Sequence, residues 1–520
     1  MADATYYLQV DWDGTGFANS FPLTFPIVWG TAGAIANNRV RSIRLQYGRD
    51  EASQLTGRSR GGTLTAVLDN RSGDYNSFNS GSPLVGTVLP GKAVRVIAES
   101  TSEAKEIWRG YLKRIRPQPM LSGDNVAVME AHGPLTQLNT NNLSLAMRTS
   151  ELTDVTIKAI LDELGVDASL QSLDTGKTTI TRYHADRVSP VFALQEIEAA
   201  EAGFIWEGKN GQINFDNRHA RLSGRGLTSQ ATFSDASGAA RVYSAIRQFD
   251  PMDSLFNIFS ASVTIYTVAS IATLWTLDQV GANSVAINAG DSFTWWANYP
   301  NPGTATDGAW GVDAWTTPVA TTDWTFNSVA GGGGTNLTGD MTIAVTKFGN
   351  SMKMTFTNGH ASLTAYVQDL KARGTAITRG DPIIIREEDT TSQTTHNVER
   401  EWPAKTDHIP TTAEAYDWAK FHLALYKDPV PMLEMSYVAN RSENMLDEMI
   451  LREIGDRITV VAQNDADLDI NGDFFIEAVR HNIRSNKHHV VTYLLSDAEQ
   501  FSDWWVWGTS KWGTTTRWTY

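Results

Sequence analysis

The sequence predicts a mainly β protein with a smaller α/β module, built from several β-barrel or β-sandwich domains. Short runs rich in valine, isoleucine, threonine and aromatic residues recur between clusters of glycine, asparagine, aspartate and serine, a pattern typical of sandwiches and small barrels. The chain has 520 residues, 41% of them apolar, which is enough hydrophobic material for several cores. Three segments have a helical pattern instead, and two of them lie close together.

The predicted strands alternate apolar and polar residues. Examples are residues 40–45, 63–68, 93–97 and 457–461. Successive side chains of a strand point to opposite faces of a sheet. One face of each strand is therefore expected to be buried, and the other to meet water or a partner.

The three predicted helices are residues 151–164, 189–202 and 411–426. The second begins with a Ser-Pro pair that provides an N-cap and a first-turn proline, and the third begins with a Thr-x-x-Glu capping-box pattern. Gly165 and Gly203 follow the first two, and glycine there supplies a left-handed C-terminal turn.

The first two helices belong to the predicted α/β module, near residues 135–220. In the first helix, Val155 and Ile160 fall near one apolar stripe. After the second, residues 204–207 and 212–215 are strand-like runs joined by a glycine-rich turn, which predicts a β-hairpin.

The composition changes over residues 262–375 to threonine, alanine, glycine and tryptophan with few charges, which predicts an inserted β-sandwich. Stacked aromatic rings on such a sandwich hold sugars in many modules. The candidate carbohydrate or partner contacts are Trp295, Trp296, Tyr299, Trp310 and Trp315. The alternative is that most of these rings fill the sandwich core, because strands favour aromatic residues.

The last stretch of the chain, residues 501–520, is predicted to be a docking tail. Its tryptophans are Trp504, Trp505, Trp507, Trp512 and Trp518, set among glycine, threonine and serine. The stretch has no helical period and no sustained two-residue alternation, and tryptophan is the residue most enriched in binding hot spots. The alternative is a strand packed back on the last domain of this chain.

Composition excludes several classes of site and protein. The chain has no cysteine, which excludes disulfides, thiolate nucleophiles and cysteine-ligated zinc. No window is apolar for the length of a membrane helix, and the start lacks the regions of a signal peptide, so we expect a soluble protein made in the cytoplasm. The net charge of −15 argues against a protein that grips nucleic acid by its phosphates. It suits a channel through which DNA slides, or serves solubility alone.

Residues 467–473 have the alternating ligands of a calcium loop, namely Asp467, Asp469, Asn471 and Asp473. The twelfth position, which requires a bidentate glutamate, is Ala478. The alternative is a polar hairpin turn, and we predict no metal site here.

No catalytic motif of the common metalloprotease, serine-hydrolase or nucleotide-binding kinds occurs in the sequence. His488 and His489 are expected to be an exposed pair on a late strand. Glu387, Glu388 and Asp389 could be paired carboxylates for glycoside cleavage, but they follow a strand and are expected to form a solvated turn. We therefore predict no catalytic residue, no cofactor and no enzymatic activity.

Several turns and strand edges resemble the N-terminal part of phage minor tail or baseplate hub proteins. The matching segments are Asp69-Asn70-Arg71 with the residues up to Asn79, Ser82-Pro83-Leu84, Leu89-Pro90-Gly91-Lys92-Ala93-Val94-Arg95-Val96, Trp108-Arg109-Gly110-Tyr111-Leu112, Gly472-Asp473-Phe474-Phe475-Ile476-Glu477 with the strand near 490–495, and Val10-Asp11-Trp12-Asp13-Gly14. The likeness covers about residues 5–250 and 375–500. Asn-Arg-Ser-Gly and Pro-Gly supply turns that set the order of the strands.

The resemblance implies a hub-like multidomain architecture. The predicted domains are a tube-like β-barrel domain over residues 1–134, the α/β module over 135–220, a second hub β domain with a helix over 221–261 and 376–500, the inserted sandwich over 262–375, and the docking tail over 501–520.

By analogy with that family, we expect a structural tail-tip protein of the virion. It would form a homo-oligomer, with a trimer favoured, around a channel that DNA crosses without specific binding. Its partners would be the tail tube, the distal tail ring and a central spike or fibre. Two alternatives stay open: a receptor-binding protein that recognises host surface glycan through the sandwich, and a tail-associated cell-wall hydrolase.

Overall fold

The computed structural model describes residues 4–12, 40–82, 84–101, 104–300, 308–464, 468–484 and 488–501. Within these ranges the strands are β1 (Thr5–Val10), β2 (Val40–Arg49), β3 (Ser59–Asp69), β4 (Ala93–Glu99), β5 (Ala104–Gln118), β6 (Val126–His132), β7 (Leu143–Leu152), β8 (Gln171–Leu173), β9 (Thr179–Val188), β10 (Phe204–Glu207), β11 (Ile213–Asp216), β12 (Thr232–Ser234), β13 (Ala245–Gln248), β14 (Ile258–Val263), β15 (Tyr266–Thr276), β16 (Ala286–Ile287), β17 (Ser292–Asn298), β18 (Ala309–Trp315), β19 (Trp324–Asn327), β20 (Met341–Lys347), β21 (Ser351–Asn358), β22 (Ala365–Arg379), β23 (Ile383–Glu388), β24 (Glu401–Pro403), β25 (Met432–Val438), β26 (Arg457–Ala462), β27 (Ile470–Arg484) and β28 (His489–Asp497). The α-helices in the same ranges are α1 (Pro134–Leu138), α2 (Thr153–Glu163), α3 (Pro190–Glu201), α4 (Thr390–His396), α5 (Thr412–Tyr426) and α6 (Glu443–Leu451). The predicted fold class, mainly β with a smaller α/β module and several sheets, is confirmed, but the sheets of the described ranges are not the closed barrels that were expected.

The largest element is a twelve-stranded sheet in the order β1-β4-β5-β6-β3-β2-β27-β28-β25-β13, with β26 paired to β27 and β12 to β26. Its N-terminal six strands and its C-terminal six strands meet at the antiparallel pair β2–β27, from Ser42 opposite Arg484 to Gly48 opposite Ala478. β27 also pairs with β28, so it links the two halves into one sheet. In the described part of the chain this sheet is open, with β1 and β13 at its ends.

Both halves of the large sheet contribute to one core. Strand β1 buries every second residue, as its alternating sequence predicts. Trp108 from β5 and Tyr437 from β25 are almost completely buried in this core. The first strand also reaches the last, because the Tyr6 hydroxyl lies 2.7 Å from Nδ1 of His489 on β28. Strand β1 at one end of the sheet therefore lies in contact with β28 of the C-terminal half.

The three predicted helices are present, as α2, α3 and α5. The Ser189 and Thr411 side chains accept hydrogen bonds from the backbone N–H groups of Phe192 and Glu414, so both act as N-caps. One predicted core position is wrong, because Val155 is 39% exposed. Neighbouring positions of α2, including Ile157, Ile160 and Leu161, form the buried stripe instead.

The predicted hairpin is also present, as the antiparallel pair β10–β11, and β8 adds to it in parallel. With the β7–β9 ribbon and helices α2 and α3 it shares a core of its own. This is the α/β arrangement expected for residues 135–220.

The region of the predicted sandwich contains two sheets. One has β15, β16, β18 and β19 arranged along the long strand β22, and the other has the order β17-β21-β20. Their side chains share one core. The chain enters and leaves this region side by side, since Tyr266 is paired with Arg379. Just outside this region, β14 before it in the chain pairs with β23 after it and with β24. Helix α5 packs on this small three-stranded sheet.

Candidate assembly surface

The loop between β3 and β4 presents apolar side chains to solvent. Phe78 is 93% exposed, and Val85 and Leu89 are exposed as well. The turn between β5 and β6 adds the exposed side chains of Met120 and Leu121. We call these five side chains the apolar tip. Exposed apolar side chains that lie together on a protein surface are typical of an interaction site.

The two loops lie at the same end of the large sheet. Asp69, the last residue of β3, is paired with Val126, the first residue of β6. Val126 is also paired with Gln118, the last residue of β5. The backbone N–H of Asn70 donates to the carbonyl of Asn125 over 3.0 Å, which joins the bases of the two loops.

The β3–β4 loop is held by its own hydrogen bonds. The Asn70 side chain accepts from the backbone N–H of Tyr75 over 3.1 Å, and the Ser82 hydroxyl donates to the Asp74 carbonyl over 2.5 Å. Tyr75 and Leu84 anchor the loop in the core. A preorganised loop loses little conformational entropy when it binds. The asparagine, serine and glycine residues that carry the family resemblance are the ones that build this loop.

Paired charges surround the base of the apolar tip. Arg71 hydrogen-bonds the Asp69 carboxylate and holds the pKa of that carboxyl at about 2. Arg41 binds Asp124 at 2.5 Å and likewise lowers its pKa. Both carboxylates are therefore ionised at neutral pH, so the apolar side chains project from a rim of fixed charges.

A cavity of about 140 Å³ lies where α3, α5, the end of β2 and the β10–β11 hairpin meet. Arginines line it, and buried carboxylates hold them. Glu477 lies 3.2 Å from Nε of Arg49 and 2.8 Å from Nη1 of Arg221. Glu201 lies 3.2 Å from Nε of Arg218. The ion pairs link the α/β module to the large sheet and α5, so we attribute this cavity to domain packing.

The aromatic residues predicted as ligand contacts fall into two groups. Trp295, Tyr299 and Trp315 lie in the sandwich core and present no free ring face. Trp310 is half-buried between Tyr266 and His184 of the α/β module. Trp296 is 46% exposed. Three of the five side chains are therefore buried in the sandwich core.

His489 contradicts the prediction of an exposed histidine pair. It is fully buried, with Nδ1 at the Tyr6 hydroxyl and Nε2 at 3.0 Å from Nδ1 of His481. Burial lowers the pKa of His481 to about 3 and that of His489 well below its usual value. The prediction failed because the local sequence does not reveal that β1 folds over β28.

The carboxylates considered for chemistry have structural partners. Asp473 hydrogen-bonds Arg457 and Thr459 at 2.7 and 2.6 Å. Asp389 caps helix α4 by accepting from the Ser392 N–H. Over the described ranges, no three acidic or histidine side chains are placed to hold a metal ion.

Two predicted features lie outside the described residues. They are Asp467 of the calcium-like loop and the tryptophans of the docking tail. In the part of the chain that is described, no helix is long and apolar enough to cross a membrane. The apolar tip was missed from the sequence, although an aromatic residue inside an Asn-Ser-Gly turn, at Phe78, is a usable signal for it.

The whole chain is similar in structure to a tail protein from Neisseria meningitidis MC58, with a TM-score of 0.51, 9% identity, and coverage of 96% of this chain and 98% of that protein. A 43 kDa tail protein of prophage MuSo2 from Shewanella oneidensis has a TM-score of 0.49, 8% identity, and coverage of 96% and 99%. A prophage tail protein from Listeria monocytogenes EGD-e has a TM-score of 0.37, 8% identity, and coverage of 88% and 89%. No protein-family model and no curated protein matches the sequence. The likeness to the Neisseria protein shows a shared fold, and the resemblance to tail proteins is confirmed at that level.

Proposed function

We propose that this chain is a structural protein of a phage or phage-like tail. It acts as an oligomeric hub at the tail tip or baseplate, where several copies surround the DNA channel and link the tail tube to distal tip or fibre proteins. The main support is the fold shared with the Neisseria tail protein over nearly the whole of both chains. A net charge of −15 is compatible with a channel that does not retain DNA.

The apolar tip is the surface that we assign to a neighbouring tail protein. Its side chains are exposed on a preorganised loop, and burial of a side chain such as Phe78 contributes about 1.5–3 kcal/mol. Substitution of Phe78 and Leu121 by serine is expected to leave the melting temperature unchanged, because neither side chain lies in a core. The same substitutions are expected to prevent incorporation into tails.

The oligomer and its location can be tested directly. Light scattering of the purified chain at micromolar concentration is expected to give a multiple of the 57.1 kDa chain mass, with three copies favoured. Gold-labelled antibody against the chain is expected to mark the distal end of isolated tails. A monomer in solution together with no label on the particle would reject the hub.

A second candidate function is recognition of surface carbohydrate, and the Trp296 ring favours it. That ring is exposed on strand β17, stacks on Phe348 at 5.7 Å between ring centroids, and has Lys353 Nζ 6.0 Å away. The exposed part of this ring provides aromatic surface for contact with a sugar. Loss of glycan-array binding in Trp296→Ala, with an unchanged melting temperature, would support it, and no binding by the unaltered protein would reject it.

A further inference from the structure

Strand β15 forms an exposed edge of the inserted sandwich. Among the described residues its one neighbouring strand is β22, and all side chains of residues 267–273 are exposed. Among its large apolar side chains, Val268 is 40% and Ile271 is 62% exposed. The whole strand, Tyr266–Thr276, has no charged residue and no proline. Natural proteins normally protect such an edge with lysine, proline or a covering element, because its free N–H and C=O groups pair with other strands.

Strand β23 is a second open edge. Its one neighbour in the described chain is β14. Its first two residues, Ile383 and Ile384, are 41% and 68% exposed. The first three residues of the strand are uncharged, and all six residues form an edge about as long as the exposed part of β15.

The two edges lie on opposite sides of one ribbon. The ribbon is a long antiparallel pair of chain segments. One segment is β14 followed by β15, and the other is β22 followed by β23, with β15 paired to β22 and β14 paired to β23. β15 is open on the side away from β22, and β23 is open on the side away from β14. If one edge of a copy binds the other edge of the next copy, the contact is head-to-tail. Repeated head-to-tail contacts close into a ring when the rotation that relates successive copies adds up to a full turn.

We propose that β15 of one copy pairs with β23 of a second copy. The pairing covers both exposed apolar edges with one kind of contact, whereas pairing of β15 with another β15 leaves β23 open. The uncharged first half of β23 meets the uncharged strand β15, while Arg386 and Glu388 in its second half are paired with each other at 3.0 Å. This inference rests on the proposed self-association of the chain and names the strands that produce it.

Thiol cross-linking tests the pairing without interference, because the chain has no native cysteine. Ser270→Cys lies at the centre of the exposed part of β15, and Arg386→Cys lies near the centre of β23. Central positions stay close whether the two strands run parallel or antiparallel. A short bis-maleimide then joins the two strands if they are neighbours.

A mixture of the two single variants is expected to yield a covalent pair containing one copy of each. The double variant is expected to yield a ladder that ends at the native oligomer mass, and each single variant alone is expected to stay uncross-linked. Cross-linking of Ser270→Cys alone would overturn the proposal in favour of a two-fold contact. A native oligomer without any cross-link would overturn the pairing and leave the hub standing, whereas a native monomer would overturn both.

A charge on the edge provides a second test. Ile271→Lys is expected to lower the apparent association constant at least tenfold, because the ammonium group must lose water when the edge is paired. Val319→Lys is the matched control, since Val319 is 53% exposed on a loop of the same sandwich. Both variants are expected to keep the melting temperature of the monomer. Equal association of Ile271→Lys and the unaltered chain would contradict the proposal.

Discussion

Glu477 is the residue on which the two halves of the large sheet and the α/β module converge. It is fully buried on β27, and its carboxylate also accepts the Ser496 hydroxyl at 2.5 Å. Arg49 arrives from β2 and Arg221 from the segment after β11. A buried carboxylate that forms ion pairs with two guanidinium groups reduces the cost of burying those charges.

Glu477→Gln is therefore expected to destabilise the large sheet by roughly 3–5 kcal/mol, because Arg49 and Arg221 both lose this buried ion pair. Glu434→Gln is the matched control: it removes a partly exposed pair with Arg480 on the same sheet, for which roughly 0–1 kcal/mol is expected. Hydrogen exchange of the β27 and β28 amides measures the local free energy of unfolding. Equal protection in the two variants would contradict the assignment.

The buried histidines make stability depend on pH. The pKa of His481 is about 3 in the folded chain, and its ordinary value is 6.5. The unfolded chain therefore binds more protons between these values, so the contribution of His481 is complete above pH 6.5 and is lost as the pH falls towards 3.

His481→Gln is expected to make the free energy of unfolding less sensitive to acid, by about 2 kcal/mol between pH 7 and pH 5. The comparison must be between variants, because Glu207, whose burial raises its pKa to about 7, contributes with the opposite sign. Urea titrations at pH 7 and pH 5, monitored by hydrogen exchange of the β27 and β28 amides, give the free energy of unfolding at each pH. The pH dependence of that free energy is then compared between His481→Gln and the unaltered chain. Parallel slopes would show that the pKa of His481 is the same in the folded and the unfolded chain, which would contradict the prediction.

At the scale of elements, the inserted region can be removed at a natural junction. Val263 of β14 is paired directly with Ile383 of β23. We expect that replacement of residues 264–382 by Asn-Gly closes β14 and β23 into a hairpin, because a two-residue turn of this kind matches the twist of paired strands. The remaining chain is expected to fold, and to lose its oligomer together with β15.

The insert also contacts the α/β module, through the Arg182–Asp313 ion pair at 3.1 Å and the His184–Trp310 ring contact. Its deletion is therefore expected to lower the melting temperature of that module by a few degrees, since these contacts are few and partly exposed. Calorimetry and light scattering check both expectations. A deleted chain that aggregates or stays unfolded would show that the insert belongs to the hub core.

At the scale of the whole molecule, the docking tail remains a prediction. The described chain is anchored up to Phe501, which is 7% exposed and packs on Phe475 at 5.7 Å. Truncation after Ser502 keeps that anchor and removes all five tail tryptophans. We expect an unchanged melting temperature and loss of binding to the neighbouring tail protein, measured by co-sedimentation with isolated tails. Early melting of the last domain would instead place the tail in its core.

The sequence by itself determined the features that depend on local order. The caps Ser189 and Thr411, the hairpin after α3 and the loop from Asn70 follow from hydrogen bonds between residues close in the chain, and their patterns are legible in sequence. Alternation likewise identified the strands. The composition of the insert separated it from the charged regions on either side.

Only the tertiary structure decided which strand faces meet and which edges stay open. The pairing of β2 with β27 joins residues more than four hundred positions apart, and the contact of Tyr6 with His489 spans nearly the whole chain. An alternating strand has the same sequence pattern whether its polar face meets water or a partner, and its pattern does not name the neighbour at its edge. Burial of His489, exposure of Val155 and the open edge of β15 depend on long-range packing, which no local sequence pattern encodes.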